Sequence, residues 1–300
     1  MASRSTRLAI ADHRRDWHAN RYVYPVISRR SRGLSIGINL QPSGACNFDC
    51  VYCCVDRSGG VRQDAVDLDR LDAELRGILA SVADGSIWED ARLADVDPPY
   101  RRLRDLAFSG NGEPTLSPAF GDAVDLAIGS REEAGFADEA KIVLITNATT
   151  LDPQRRPGVA SALRRLDAAG GFEPWVKLDA GTPEYFRRVD RSHVRFDTVL
   201  RAIEACGKAR PIVIQTMLCK LDGEAMPDEE FVAYGDRLVA LREAGCDLRG
   251  VHLYTVARRA AVAGVTPVEA EPLLDRARAL QRRLGDVPVE AFPAPDAAGD

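Results

Sequence analysis

The sequence predicts an α/β protein built as a partial (β/α)6 barrel, with parallel strands inside and helices outside. Three observations carry this. Short apolar runs alternate with helix-period segments six times from about residue 34 onward, the pattern of consecutive β–α units. The strand runs place apolar residues on one face and polar residues on the other, whereas an open sheet covered on both sides is aliphatic on both. Six units are too few for an eight-stranded closed barrel, so an open barrel with a polar lumen is expected.

The elements follow in order. Residues 1–33 form a basic N-terminal arm, with eight arginines against Asp12 and Asp16 in a chain whose net charge is −5. Such an arm can contact nucleic acid or another anion. Trp17, Tyr22, Tyr24, Val26 and Ile27 give it something to bury, which favours an arm wrapped on the acidic body. A barrel domain is expected over 34–292. Its strands are expected at 34–40, 106–109, 142–147, 175–179, 211–217 and 250–255, with a short edge strand at 287–292. Its helices are expected at 67–83, 119–134, 157–169, 196–208, 228–244 and 269–284. In 67–83, Leu68, Leu71, Leu75, Ile78, Leu79 and Val82 keep one face apolar. Residues 86–104 are polar with prolines at 98 and 99, and read as an insertion loop. The tail 293–300 reads as disordered.

Composition narrows the function classes. No apolar run approaches the roughly 20 residues of a membrane span, and the first residues lack a signal-peptide stretch. A cytoplasmic location among reduced thiols is expected. Four of the seven cysteines fall at 46, 50, 53 and 54, which reads as metal or redox chemistry rather than disulfides.

The cluster is Cys46-Asn-Phe-Asp-Cys50-Val-Tyr-Cys53, just after the first expected strand. Three closely spaced thiolates can each bind one iron of a [4Fe–4S] cubane. The fourth iron then stays open for chemistry, as in catalytic metal centres generally. A structural zinc site usually uses four ligands in two spaced pairs. A ferredoxin-like carrier needs a distant fourth cysteine, for which Cys206, Cys219 and Cys246 are available. Cys54 adjoins Cys53 and reaches the same metal awkwardly, so it is set outside the triad. A second feature is Gly110-Asn111-Gly112-Glu113, between a strand and a helix. Its glycines let backbone approach a ligand, and Glu113 is an acceptor for an ammonium group.

CxxxCxΦC with Tyr52 before the last cysteine resembles the signature of the radical S-adenosylmethionine (SAM) superfamily. The resemblance covers roughly residues 20–292. It implies a [4Fe–4S] cluster on Cys46, Cys50 and Cys53, with SAM as the second cofactor. It implies reductive cleavage of SAM to a 5′-deoxyadenosyl radical, with electrons from a donor such as flavodoxin or ferredoxin. It places Tyr52 near the SAM adenine, and Gly110, Gly112 and Glu113 at the SAM amino group, although Asn111 interrupts the family's glycine pair. By position on later strands it implies that Asn147, Lys177, Asp179 and Gln215 contact SAM. A self-satisfied Lys177–Asp179 pair is the alternative for those two, and Lys177 is also a candidate general acid or substrate anchor. His252, Tyr254, the arginines at 258–259 and Arg187, Arg188 and Arg191 are further polar candidates at the active end.

The segments INLQPSGACNFDCVYC, FSGNGEPTL, LITNAT, VKLDAGTPEYFRRVDR and YTVARR resemble a bacterial subgroup of undefined role. That subgroup is broadly similar to the enzymes that form the wyosine base of tRNA. Those enzymes carry extra N-terminal cysteines for a second cluster, and no cysteine precedes Cys46 here. Three functions therefore stand: radical SAM chemistry on a small molecule or peptide, the same chemistry on tRNA, or a non-catalytic iron–sulfur or zinc protein.

Overall fold

The computed structural model describes all residues except 1–2, 13, 16, 58–59, 61, 64 and 296–300. The chain builds structure before the first expected strand. Helix α1 (Arg4–Ala11) begins where the Ser3 hydroxyl accepts the Thr6 N–H at 3.2 Å, satisfying one of the donors a helix start leaves free. Strand β1 (Val23–Ser28) then turns through residues 29–32 into β2 (Gly33–Ile38), and the two pair antiparallel. The strands read from sequence began at 34 and omitted β1. Pro25 hides it, and is tolerated because β1 is the outer strand of the sheet. A buried carboxylate fixes its entry. Glu74 of α2 (Leu68–Asp84) accepts the backbone N–H groups of Arg21 at 2.8 Å, Tyr22 at 2.8 Å and Val23 at 3.1 Å.

Strand and helix then alternate. Next come β3 (Leu103–Phe108), α3 (Phe120–Glu133), β4 (Lys141–Thr146), α4 (Pro157–Ala169) and β5 (Phe172–Lys177). After α5 (Pro183–Asp190) and α6 (Phe196–Ala209) come β6 (Ile212–Met217), β7 (Cys219–Leu221) and α7 (Asp228–Glu243). The chain ends with β8 (Leu248–Tyr254), β9 (Val265–Pro267), α8 (Ala270–Leu284) and β10 (Val289–Phe292). The main sheet has the order β1-β2-β3-β4-β5-β6-β8-β10, parallel from β2 to β10, while β7 and β9 pair separately. Curled with its helices outside, this sheet is the partial barrel the β–α alternation predicts.

The alternation of each strand sets what faces where. Ile36, Leu106, Leu144, Val176, Ile214 and Leu253 point outward into one core shared with the helices. Ala107, Val143, Trp175 and Val213 point inward and form a separate small cluster in the lumen. Residues 86–102 are more than an insertion loop. Ile87, Leu93 and Val96 are buried there, and β3 starts at Leu103, inside the expected loop. Of the expected tail 293–300, residues 296–300 lie outside the described residues. Among the described residues, no helix is long and apolar enough to cross a membrane.

Candidate active site

The cysteine loop follows β2 and is held from both sides. The Asp49 N–H donates to the Asp190 carbonyl at 3.1 Å and the Val51 N–H to the Val189 carbonyl at 2.9 Å, tying the loop to the end of α5. Phe48 packs edge-on against Phe186, with ring centres 5.4 Å apart. Cys46, Cys50 and Cys53 are half-buried, Cys54 is exposed, and Cys206, Cys219 and Cys246 are buried. The three half-buried cysteines line one cleft of about 540 Å³ together with Arg57, Arg191 and His193. Cys53 also lines the barrel lumen, so it stands between the two spaces.

Donors converge on the sulfurs. The Phe48 N–H reaches Cys46 Sγ at 3.4 Å and Asn147 Nδ2 reaches it at 3.8 Å. Arg57 Nη1 reaches Cys53 Sγ at 3.1 Å, while its other nitrogens donate to the carbonyls of Gly44 at 3.0 Å and Asn111 at 2.8 Å. Burial, then the Glu113 charge, pushes the Cys46 thiol up to about 11. Burial also raises Cys50 well above the usual thiol range, against the pull of Lys177. Metal binding at these cysteines would release the thiol protons. Among the described residues, no group of three His, Cys, Asp or Glu side chains is placed to hold a single metal ion. Three separate thiols, two of them under N–H donors, fit a cubane cluster, whose sulfurs such hydrogen bonds tune.

The second feature packs onto the first. A Cβ on Gly112 would lie 1.9 Å from the Ala45 carbonyl oxygen, so only glycine lets this turn meet the cysteine loop. Gly110 has φ of 152°, and a Cβ there would strike Asn39. The Glu113 N–H donates to the Ala45 carbonyl at 2.9 Å. Asn111, which breaks the glycine pair, bridges instead. Its N–H donates to Asn39 Oδ1 at 3.2 Å and its amide to the Pro42 carbonyl at 2.8 Å. The Glu113 carboxylate is buried and accepts from the Asn147 N–H at 2.7 Å, Thr146 Oγ1 at 2.8 Å and Thr115. Burial pushes its pKa up against those bonds. Gln41 lies beside this turn, 1% exposed, with neither amide atom hydrogen-bonded. A buried amide without partners is costly and suits a site completed by a bound group.

The later strands bring a second cluster together. Lys177 at the end of β5 donates to both Asp179 and Asp190, and Tyr52 donates its hydroxyl to Asp179. Asp179 also accepts the Met217 N–H at 2.9 Å. Burial alone would discharge Lys177, but the two carboxylates raise its pKa well above the usual value. Asn147 spans from Cys46 to Asn47 Oδ1 at 2.7 Å. Gln215 stands apart, deeper in the lumen, accepting from Arg30 at 2.7 Å and donating to the Trp175 carbonyl at 3.0 Å.

Tyr254 and Arg258 line the lumen, whereas Arg259 is exposed outside it. His252 packs between Trp175 and Phe292, with centroids 5.1 Å from each, in a separate cavity. Arg187 and Arg188 are solvent-exposed ion-pair partners of Glu184 and Glu224. Sequence reasoning missed Gln41, Arg57, Asp190 and Arg30. Only Gln41 carried a signal, being a polar residue directly after the first strand.

Residues 40–234 match the radical SAM superfamily, and the chain belongs to it. Enzymes of this class use a [4Fe–4S] cluster and SAM. Two solved structures, SuiB and spore photoproduct lyase, agree on the fold. SuiB of Streptococcus suis is similar with a TM-score of 0.56 and 12% identity, over 88% of this chain and 51% of that one. A variant of spore photoproduct lyase with bound AdoMet and dinucleoside spore photoproduct gives 0.52 and 14% identity, over 85% of this chain and 75% of that one. Archaeal TYW1 gives 0.47 and 10% identity, over 84% and 72%. The chain thus spans about half the length of SuiB. No curated protein matches it.

Proposed function

We propose that Cys46, Cys50 and Cys53 hold a [4Fe–4S] cluster and that the enzyme acts on a small molecule or peptide in the lumen. A cluster held by these three cysteines would supply the single electron needed for reductive cleavage of SAM to methionine and a 5′-deoxyadenosyl radical, which would take hydrogen from the substrate. A flavodoxin or ferredoxin delivers the electron, in the cytoplasm where thiols stay reduced. The observation that carries the reading is the position of Cys53, shared by the cysteine cleft and the lumen.

The chain's own residues divide the work. Arg57 and Asn147 donate to the sulfurs and offset their charge. Gly112 brings the backbone against the cysteine loop and Gly110 against Asn39, and Glu113 fixes the ends of β3 and β4 to each other. Tyr52 is oriented by Asp179 and offers a ring face to the SAM adenine. Lys177 keeps Asp179 and Asp190 neutralised beside Cys50. Asn147 and Gln215 supply further polar contacts to SAM.

Anaerobic reconstitution tests this. The native chain is expected to take up about four iron and four sulfide and to form 5′-deoxyadenosine from SAM under reduction. Changing Cys46, Cys50 or Cys53 to Ala abolishes both, and Cys54→Ala abolishes neither. Zinc uptake alone, or a reduced cluster that leaves SAM intact, would refute the proposal.

A further inference from the structure

We propose that the lumen takes an anionic small-molecule substrate, whose carboxylate or phosphate group is gripped by Arg258 together with Arg15 and Arg30. This rests on the reading that the lumen houses the reaction.

The lumen encloses about 280 Å³. Arg15, Arg29, Arg30 and Arg258 line it, from three separate parts of the chain: the N-terminal segment, the turn after β1 and the segment after β8. Asp105 is the one carboxylate among the lining residues, and it already accepts from Ser35. Among the described residues, none of the four arginines pairs with a carboxylate. Arg29 donates to the main-chain carbonyls of Thr255, at 2.7 Å, and Pro293. Arg30 donates to Gln215 and is stacked 4.2 Å from the Trp175 ring centre and 4.9 Å from that of Tyr254. Arg15 donates to the Asn111 side chain. Arg258 makes no hydrogen bond or ion pair with any described residue, although it is half-buried.

Clustered guanidinium groups repel one another, and burial sharpens the cost. Burial, then Arg30, lowers Arg29 to about 10; burial lowers Arg258, with Arg15 adding to it. Asp105 offsets little, because burial raises its own pKa towards the neutral form. An anion entering this space relieves the repulsion, and the planar forks of Arg258 and Arg15 suit the paired oxygens of carboxylate or phosphate.

The test is calorimetric titration of the full, cluster-loaded chain with inorganic phosphate and with succinate, first without SAM and then with saturating SAM. One of the two probes is expected to bind at one site per chain, and which one does so separates phosphoryl from carboxylate recognition. Arg258→Gln is expected to weaken that binding roughly tenfold or more. Arg30→Met should weaken it too, while Arg187→Gln on the outer surface should not. Unchanged thermal melting of Arg258→Gln excludes misfolding as the cause.

The proposal is overturned if neither probe binds, or if Arg258→Gln binds as tightly as the native chain. Displacement of the probe by SAM, mole for mole, would assign these arginines to SAM instead. Competition by tRNA, lost in Arg258→Gln, would replace the small molecule with RNA. 5′-Deoxyadenosine assayed in the same preparation separates the two levels of the argument. Cleavage without probe binding sinks the anion site alone, whereas probe binding without cleavage sinks the radical reading beneath it.

Discussion

Replacing Lys177 by methionine removes the one cation, among the described residues, that Asp179 and Asp190 both contact, and keeps a side chain of similar length. The two carboxylates have side-chain exposures of 0% and 1%. Breaking a buried ion pair by deleting one partner costs about 3–5 kcal/mol, because the remaining charge is left uncompensated. Two carboxylates share this lysine, but burial already raises Asp190 to about 7, so it can take up a proton when Lys177 is lost, and Lys177→Met is expected within that range and not above it. Asp179 keeps the Tyr52 hydroxyl and the Met217 N–H, whereas Asp190 loses its charged partner. Adding Asp190→Asn to Lys177→Met removes that buried, unpaired carboxylate and should recover about 1–3 kcal/mol. Urea unfolding of the cluster-free chain, followed by circular dichroism, measures both variants. A loss under about 1 kcal/mol for the single variant, or no recovery in the double, would refute the account of this cluster.

Three further outcomes follow. Arg57→Met should lower the reduction midpoint of the loaded cluster, since it removes a positive donor from Cys53 Sγ; an unchanged midpoint in an EPR-monitored titration would contradict this. Gly112→Ala forces a methyl group against the Ala45 carbonyl and should cost about 1–3 kcal/mol, together with iron retention, measured by unfolding and iron analysis. His252 is held down to about 3, chiefly by burial, and its Nδ1 has no partner. Because its folded pKa lies below the unfolded value, its contribution is intact above pH 6.5 and declines as pH falls towards 3. The slope approaches about 1.4 kcal/mol per pH unit in that window, and His252→Phe should flatten it in urea melts taken across the range.

Much of this arrangement was legible in the chain because its signals are local. The six main parallel strands and their helices follow from period and length, and the inward face of Trp175 and Val213 from simple alternation. The cysteine spacing and the Gly112–Glu113 turn lie within short segments. β1 was missed because it adds antiparallel at an edge and carries Pro25. Other features depend on the folded topology. Arg30 meets Gln215 across 185 positions, and Arg57 meets the Asn111 carbonyl across 54. Asp190 becomes a partner of Lys177 only because α5 returns beneath the cysteine loop. The Lys177–Asp179 pair considered from sequence is present, with Asp190 and Tyr52 added to it.

The central claim is that the cysteine triad leaves one iron open beside the lumen, where SAM binds. Electron–nuclear double resonance on the reduced, cluster-loaded chain, with SAM labelled by ¹⁵N and ¹⁷O in its methionyl part, tests this directly. The account predicts hyperfine coupling from the amino nitrogen and carboxylate oxygen, lost in Cys50→Ala along with the cluster. A cluster that shows no such coupling at saturating SAM, with a fourth cysteine on its last iron, would contradict it.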